Sequence, residues 1–210
     1  VWKGLHVWGY LPYVVAQNDF EADNNTWLRT SGGDAQLGLQ YTPHFINLPM
    51  PAAIKLEVKV PFYDVNGVEG PYLTKFPAPG DGQVDVTLWL SAGGSLGSIP
   101  LFFFGEVGYR SRTEAFVGTG PFTGSYAETF VFFASVGYTF FDRVLLALNF
   151  GGAVPFIEDN ASKGYVTLGP ALYIPIWSGL AAEASFDPMI CTNKNASPGM
   201  GFSFGLSYKR

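Results

Sequence analysis

Residues 80–112 read GDGQVDVTLWLSAGGSLGSIPLFFFGEVGYRSR, and this stretch restricts the possible folds more than any other. Val84, Val86, Leu88 and Leu90 alternate with Asp85, Thr87, Trp89 and Ser91. After a Gly/Ser-rich run, Leu101, Phe103, Val107 and Tyr109 alternate with Phe102, Phe104, Glu106 and Arg110. Successive strand side chains point to opposite faces, so the pattern predicts two strands, each with an apolar face and a mixed one. Residues 93–98 supply a short turn between them. Longer stretches, 61–82 and 111–127, lie on the outer sides of the pair. Two strands joined by a short link at one end and flanked by long links at the other form the repeating unit of an outer-membrane β-barrel.

The same unit recurs along the chain. Alternation predicts strands at 5–15, 35–42, 54–60, 84–91, 101–110, 129–140, 144–151, 165–174, 180–187 and 199–208. Long links fall at 17–33, 61–82, 111–127, 155–164 and 188–198, and shorter ones at 43–52, 93–98, 141–143 and 177–179. A soluble sandwich has no reason to keep that long–short phase, whereas a barrel with periplasmic turns and extracellular loops does. The expected fold is therefore all-β: a closed, up-and-down antiparallel transmembrane β-barrel of about ten strands, with residues 1–210 as one domain. Both termini are expected in the periplasm. The outward aromatics Phe202, Phe204 and Tyr208 are expected on a last strand that pairs with the first and closes the barrel, because lipid cannot satisfy an open edge.

Composition agrees. Charged residues make up only 14% of the chain, against about 25% in soluble domains, while aromatics reach 17%. No apolar run approaches the roughly 18–20 residues of a membrane helix, so the membrane expectation rests on alternation alone. A net charge of -5 and the lack of any long basic cluster argue against nucleic acid as a partner. The single cysteine, Cys191, has no internal disulfide partner. The first residues, Val1-Trp2-Lys3, read as the approach to a strand, so an export signal is expected to have been removed.

If Val58, Leu88, Phe103, Val136, Leu146 and Leu206 face lipid, the alternate residues face the interior. The candidate lumen-lining residues are Lys55, Glu57, Lys59, Asp85, Trp89, Phe102, Phe104, Glu106, Arg110 and Glu183. Their charges either pair across neighbouring strands and fill the interior, or line a passage that selects a solute. No catalytic, cofactor or metal site is expected. His6 and His44 carry no nearby nucleophile signature. Asp19, Glu21 and Asp23, or Asp64, Asn66 and Glu69, offer oxygen ligands without the spacing of a calcium loop.

Gly80-Asp81-Gly82-Gln83-Val84-Asp85 opening one strand, and Gly108-Tyr109-Arg110 ending the next, carry a family resemblance. From Lys59 to about Arg112 the chain resembles outer-membrane transporters of the phenol-degradation MetA-pathway type. That resemblance implies a barrel passing small hydrophobic or aromatic compounds. The expected function is thus a narrow, non-enzymatic channel or transporter in a Gram-negative outer membrane. Membrane lipid, lipopolysaccharide and envelope proteins are the expected partners. The alternatives are a filled barrel acting as an anchor or subunit of an envelope complex, a lipocalin-like soluble binder, and a barrel hydrolase.

Overall fold

The computed structural model describes residues 3–20, 25–43, 50–63, 82–113, 126–141, 143–158, 162–196 and 198–208. Among them the regular structure is entirely β. The strands are β1 (Leu5–Tyr10), β2 (Tyr13–Phe20), β3 (Asn25–Gly32), β4 (Asp34–Tyr41), β5 (Ala52–Pro61), β6 (Asp85–Leu96), β7 (Leu101–Arg112), β8 (Thr129–Phe140), β9 (Val144–Pro155), β10 (Tyr165–Trp177), β11 (Leu180–Thr192) and β12 (Met200–Tyr208). Ten of them form one antiparallel sheet in the order β1-β4-β5-β6-β7-β8-β9-β10-β11-β12, and β2 pairs with β3 alone. All ten expected strands are present in that sheet as a meander.

Several strands run further than the sequence reading gave them, and three of the differences change the layout. The polar stretch 17–33 is not a simple loop: most of it continues a hairpin, with Tyr13 opposite Gly32 and Phe20 opposite Asn25. Strand pairing breaks at Pro12, which has no N–H to donate, and its carbonyl accepts from Gly33 N at 3.0 Å. The hairpin then resumes beyond the main sheet, so polarity marked an extension of the strands and not their end. Gly93 and Gly94 also belong to a strand, opposite Phe104 and Phe103, and the turn is displaced to residues 97–100. An added methyl on Gly93 would lie 2.7 Å from the Phe103 carbonyl and 3.1 Å from the Phe104 ring, so glycine here serves packing. Finally, β11 runs five residues beyond the expected Asp187 and shortens the following loop.

The sheet is inside-out by the standard of a soluble protein. On one face Asp85, Thr87, Thr129 and Ser135 are buried, Asp85 being only 2% exposed. On the other, Leu88 and Val136 are about half exposed, along with Leu56, Leu90, Val107, Leu146, Leu148 and Phe150. The buried hydrophobic core is small: Trp89, Val131 and Ala153, with Tyr165 packed against them. Of the six residues expected on the apolar face, Leu88, Val136, Leu146 and Leu206 are exposed, and Val58 and Phe103 are half-buried.

Aromatic side chains on the polar face are seated by one repeated device. Trp8 stands opposite Gly38, Trp89 opposite Gly108, Phe102 opposite Gly137 and Phe133 opposite Gly151. A methyl on Gly108 would come within 2.8 Å of the Trp89 ring, and one on Gly38 or Gly137 would meet the facing ring more closely still. Each glycine leaves a slot that a flat ring fills.

The expected pairing of the last strand with the first is not present. Among the described residues β1 pairs with β4 alone and β12 with β11 alone, and no sheet closes on itself. The exposed outer face of β12 reflects this: Phe202, Phe204, Leu206 and Tyr208 all lie well open, Phe204 at 84%.

Candidate functional site

The charged candidates converge because register places three adjacent strands in step. Lys59 of β5 is opposite Asp85 of β6, which is opposite Arg112 of β7. Glu57, Thr87 and Arg110 make the next row on the same face, and Lys55, Trp89 and Gly108 the third. Nine of the ten sequence candidates therefore lie on one face of these three strands: the charged Lys55, Glu57, Lys59, Asp85, Glu106 and Arg110, with Trp89, Phe102 and Phe104.

The first row is a chain of ion pairs at the long-loop end. Lys59 Nζ lies 3.1 Å from Asp85 Oδ2 and 3.2 Å from Asp34 Oδ2, and Arg112 Nε lies 3.2 Å from Asp85 Oδ1. Asp85 is thus a buried anion shared by two cations. The Arg112 guanidinium also sits 4.9 Å over the Tyr126 ring. Gln83, wholly buried, can donate its amide to Thr113 O and accept from Arg112. A buried carboxylate survives only when such partners replace its lost water, and Asp85 has them on both neighbouring strands.

In the second row Arg110 Nε donates to Thr87 Oγ1 at 3.4 Å. In the third, Lys55 Nζ donates to both carboxylate oxygens of Glu106, at 3.1 and 3.3 Å, across the width of β6. The same ammonium lies 4.6 Å from the Trp89 ring centroid and 6.0 Å from that of Trp8, so two indoles flank it. Acids and bases are interleaved here. They do not divide into an acidic wall and a basic one.

Phe102 and Phe104 share the charged face towards the short-turn end, with the Phe104 ring 6.2 Å from Phe133. Beside them a cavity of about 350 Å³ is lined by Gln40, Ala53, Ser91, Gly93, Phe102 and Phe104, among others. Glu183 is on the same face by register, opposite Tyr173 and Gly205, but it is exposed and takes no part in the ladder. On β11 and β12 small residues leave nothing to cover it.

Sequence reasoning missed Arg112, Asp34 and Gln83. Arg112 has the parity of Arg110, and Asp34 the parity of Gln36, so each was legible once its strand was extended by one or two residues. No group of metal-ligating side chains occurs among the described residues. His44, Glu21, Asp23, Asp64, Asn66 and Glu69 lie outside the described residues, as does the side chain of Asp19.

The outer face carries two aromatic bands. Tyr109, Phe130 and Phe156 are exposed towards the long-loop end, and Tyr41, Tyr138, Phe140, Trp177 and Tyr208 towards the short-turn end. On β8, Phe130 and Phe140 are ten residues apart along one strand. That is about 33 Å along the strand, or about 25 Å across a layer if the strand tilts by about 40°.

No family model matches the chain, and neither does any curated protein.

Proposed function

We propose that this chain forms the wall of an outer-membrane β-barrel, closed in lipid, that passes small, largely apolar or aromatic compounds through a narrow interior. One observation carries the proposal: the sheet buries its charges and exposes its leucines, valines and phenylalanines. In water such an apolar face is a severe liability, while in a bilayer it is the favourable arrangement. The two aromatic bands, spaced to suit a hydrocarbon layer, support the same reading. Closure follows from the solvent, since each unpaired backbone group costs several kcal/mol in lipid. Both termini then lie in the periplasm, with the long links outside, where they meet lipopolysaccharide and envelope partners.

Transport is supported by the aromatic side chains and cavity at the short-turn end, and by the resemblance around Lys59 to Arg112. The ion-pair ladder favours a second reading, a filled barrel that anchors or joins an envelope complex. Lys55, Lys59, Asp85, Glu106 and Arg112 are each held by an opposite charge. Planar-bilayer conductance of the purified protein separates the two. Steady current in the wild type supports transport. A silent wild type that opens when Glu106→Ala or Arg110→Ala is introduced supports the filled barrel and contradicts transport.

A further inference from the structure

The two free edges fit each other in one register. We infer that β12 pairs with β1 so that Gly205 faces Trp8 and Phe204 faces Gly9, making a seam of two glycine–aromatic pairs. This rests on the membrane reading above and adds which residues meet.

The sheet is staggered. A row of directly paired residues entering at Leu5, the short-turn end of β1, passes through Tyr41, Ile54, Leu90, Val107, Phe132, Gly152 and Val166. It leaves at Cys191, near the long-loop end of β11. The sheet is therefore already sheared in the sense that a tilted barrel requires. Ten strands spaced about 4.8 Å apart, tilted by 35–45°, close with an offset of about 34–48 Å, or about 10–14 residues. Carrying the registers on to β12, an offset of about 10 residues sets Tyr208 opposite Leu5 and Ser203 opposite Tyr10. All of β1 is then paired and the short-turn ends lie flush. Offsets two or four residues larger carry the first residues of β1 past Tyr208, the last described residue of β12. An odd offset would turn the apolar face of one strand against the polar face of the other.

The chemistry of the two edges selects the same register. Elsewhere on the polar face Trp8, Trp89, Phe102 and Phe133 each face a glycine. On β12 Gly205 is bare: an added methyl there would meet nothing within 4 Å. The inferred register gives it Trp8, which already has Gly38 on its other side. On the outer face the same register lays Phe204, 84% exposed, beside Gly9. Directions agree as well, because the first and tenth strands of a meander run antiparallel.

Cysteine pairs in a Cys191→Ser background test this. Val7→Cys with Leu206→Cys should form an intramolecular disulfide on mild oxidation, at least fivefold faster than Val7→Cys with Phe204→Cys or with Tyr208→Cys. Faster linkage in either control pair would overturn the register. Covalent dimers would mean that a second copy covers the edge. Protein that resists alkaline extraction from membranes yet links in none of the pairs would mean that other strands separate β1 from β12. Protein that never enters the membrane would instead refute the membrane reading itself. Gly205→Leu and Gly199→Leu give an independent readout, since both glycines face open space in the unpaired sheet. Gly205→Leu should abolish or markedly slow formation of the SDS-resistant folded form and Gly199→Leu should not; equal behaviour contradicts the seam.

Discussion

The wall formed by β5, β6 and β7 and the flank formed by β11 and β12 share one outer pattern and differ on the inner face. Outside, the wall exposes Ile54, Leu56, Leu88, Leu90 and Val107, and the flank exposes Phe202, Phe204 and Leu206 of β12. Inside, the wall carries Lys59, Asp85 and Arg112 in contact, whereas the flank carries Ser185, Asp187, Ser203 and Gly205, with Glu183 exposed. The few contacts there are small ones, such as Ser185 Oγ to Ser203 Oγ at 2.8 Å. Outer alternation is therefore common to the sheet and answers to the solvent. The inner face is local: opposite charges meet across β5, β6 and β7, while small residues line most of β11 and β12.

Removing the shared anion should give the largest effect. Asp85→Ala leaves two buried cations short of an acceptor and should cost about 3–5 kcal/mol, while Glu183→Ala should stay within about 0.5 kcal/mol. Urea unfolding in lipid measures both, and equal losses would erase the distinction between wall and flank. Next comes a charge on the shared outer face. Val136→Arg should impair insertion by about 2–4 kcal/mol if it lies near the midplane, whereas Ser203→Arg, on the inner face of the flank, should insert almost normally. Partitioning into vesicles reads both variants.

A smaller effect should follow from filling a ring slot. Gly137→Val drives a branched side chain into the Phe102 ring and should cost about 1–3 kcal/mol. Gly97→Val, in open space at the turn, should be nearly neutral in the same unfolding assay. The smallest pair concerns turns. Phe141 holds φ at 52° and is almost fully exposed, so Phe141→Gly should stabilise by about 1 kcal/mol. Gly179→Ala, at φ 78°, should destabilise by a similar amount.

The faces of the sheet were legible because period-two alternation translates directly into sides, and the apolar side carries no charge to blur it. Lys55, Glu57, Lys59, Asp85, Glu106 and Arg110 were found together for that reason. Arg112 and Asp34 were missed because turn composition was read as the end of a strand; a strand end without apolar alternation looks like a loop in sequence. The hairpin of β2 and β3 was hidden in the same way. Registers were illegible, since alternation is unchanged by any two-residue slip. Pairing Trp8 with Gly38 or Phe102 with Gly137 is the signal that narrows them, and it emerges only once neighbouring strands are compared.

Which face meets lipid decides between a membrane barrel and any other arrangement of this sheet. Single nitroxide labels at Leu88, Val136 and Leu148, and at Thr87, Ser135 and Asn149, test that in reconstituted vesicles through collision with oxygen and with a water-soluble nickel chelate. The account predicts that the first three are oxygen-accessible and shielded from nickel, and that the second three show little oxygen accessibility. Nickel access at Leu88 and Val136 equal to that of a water-exposed loop, or the reverse assignment of the two sets, would contradict it.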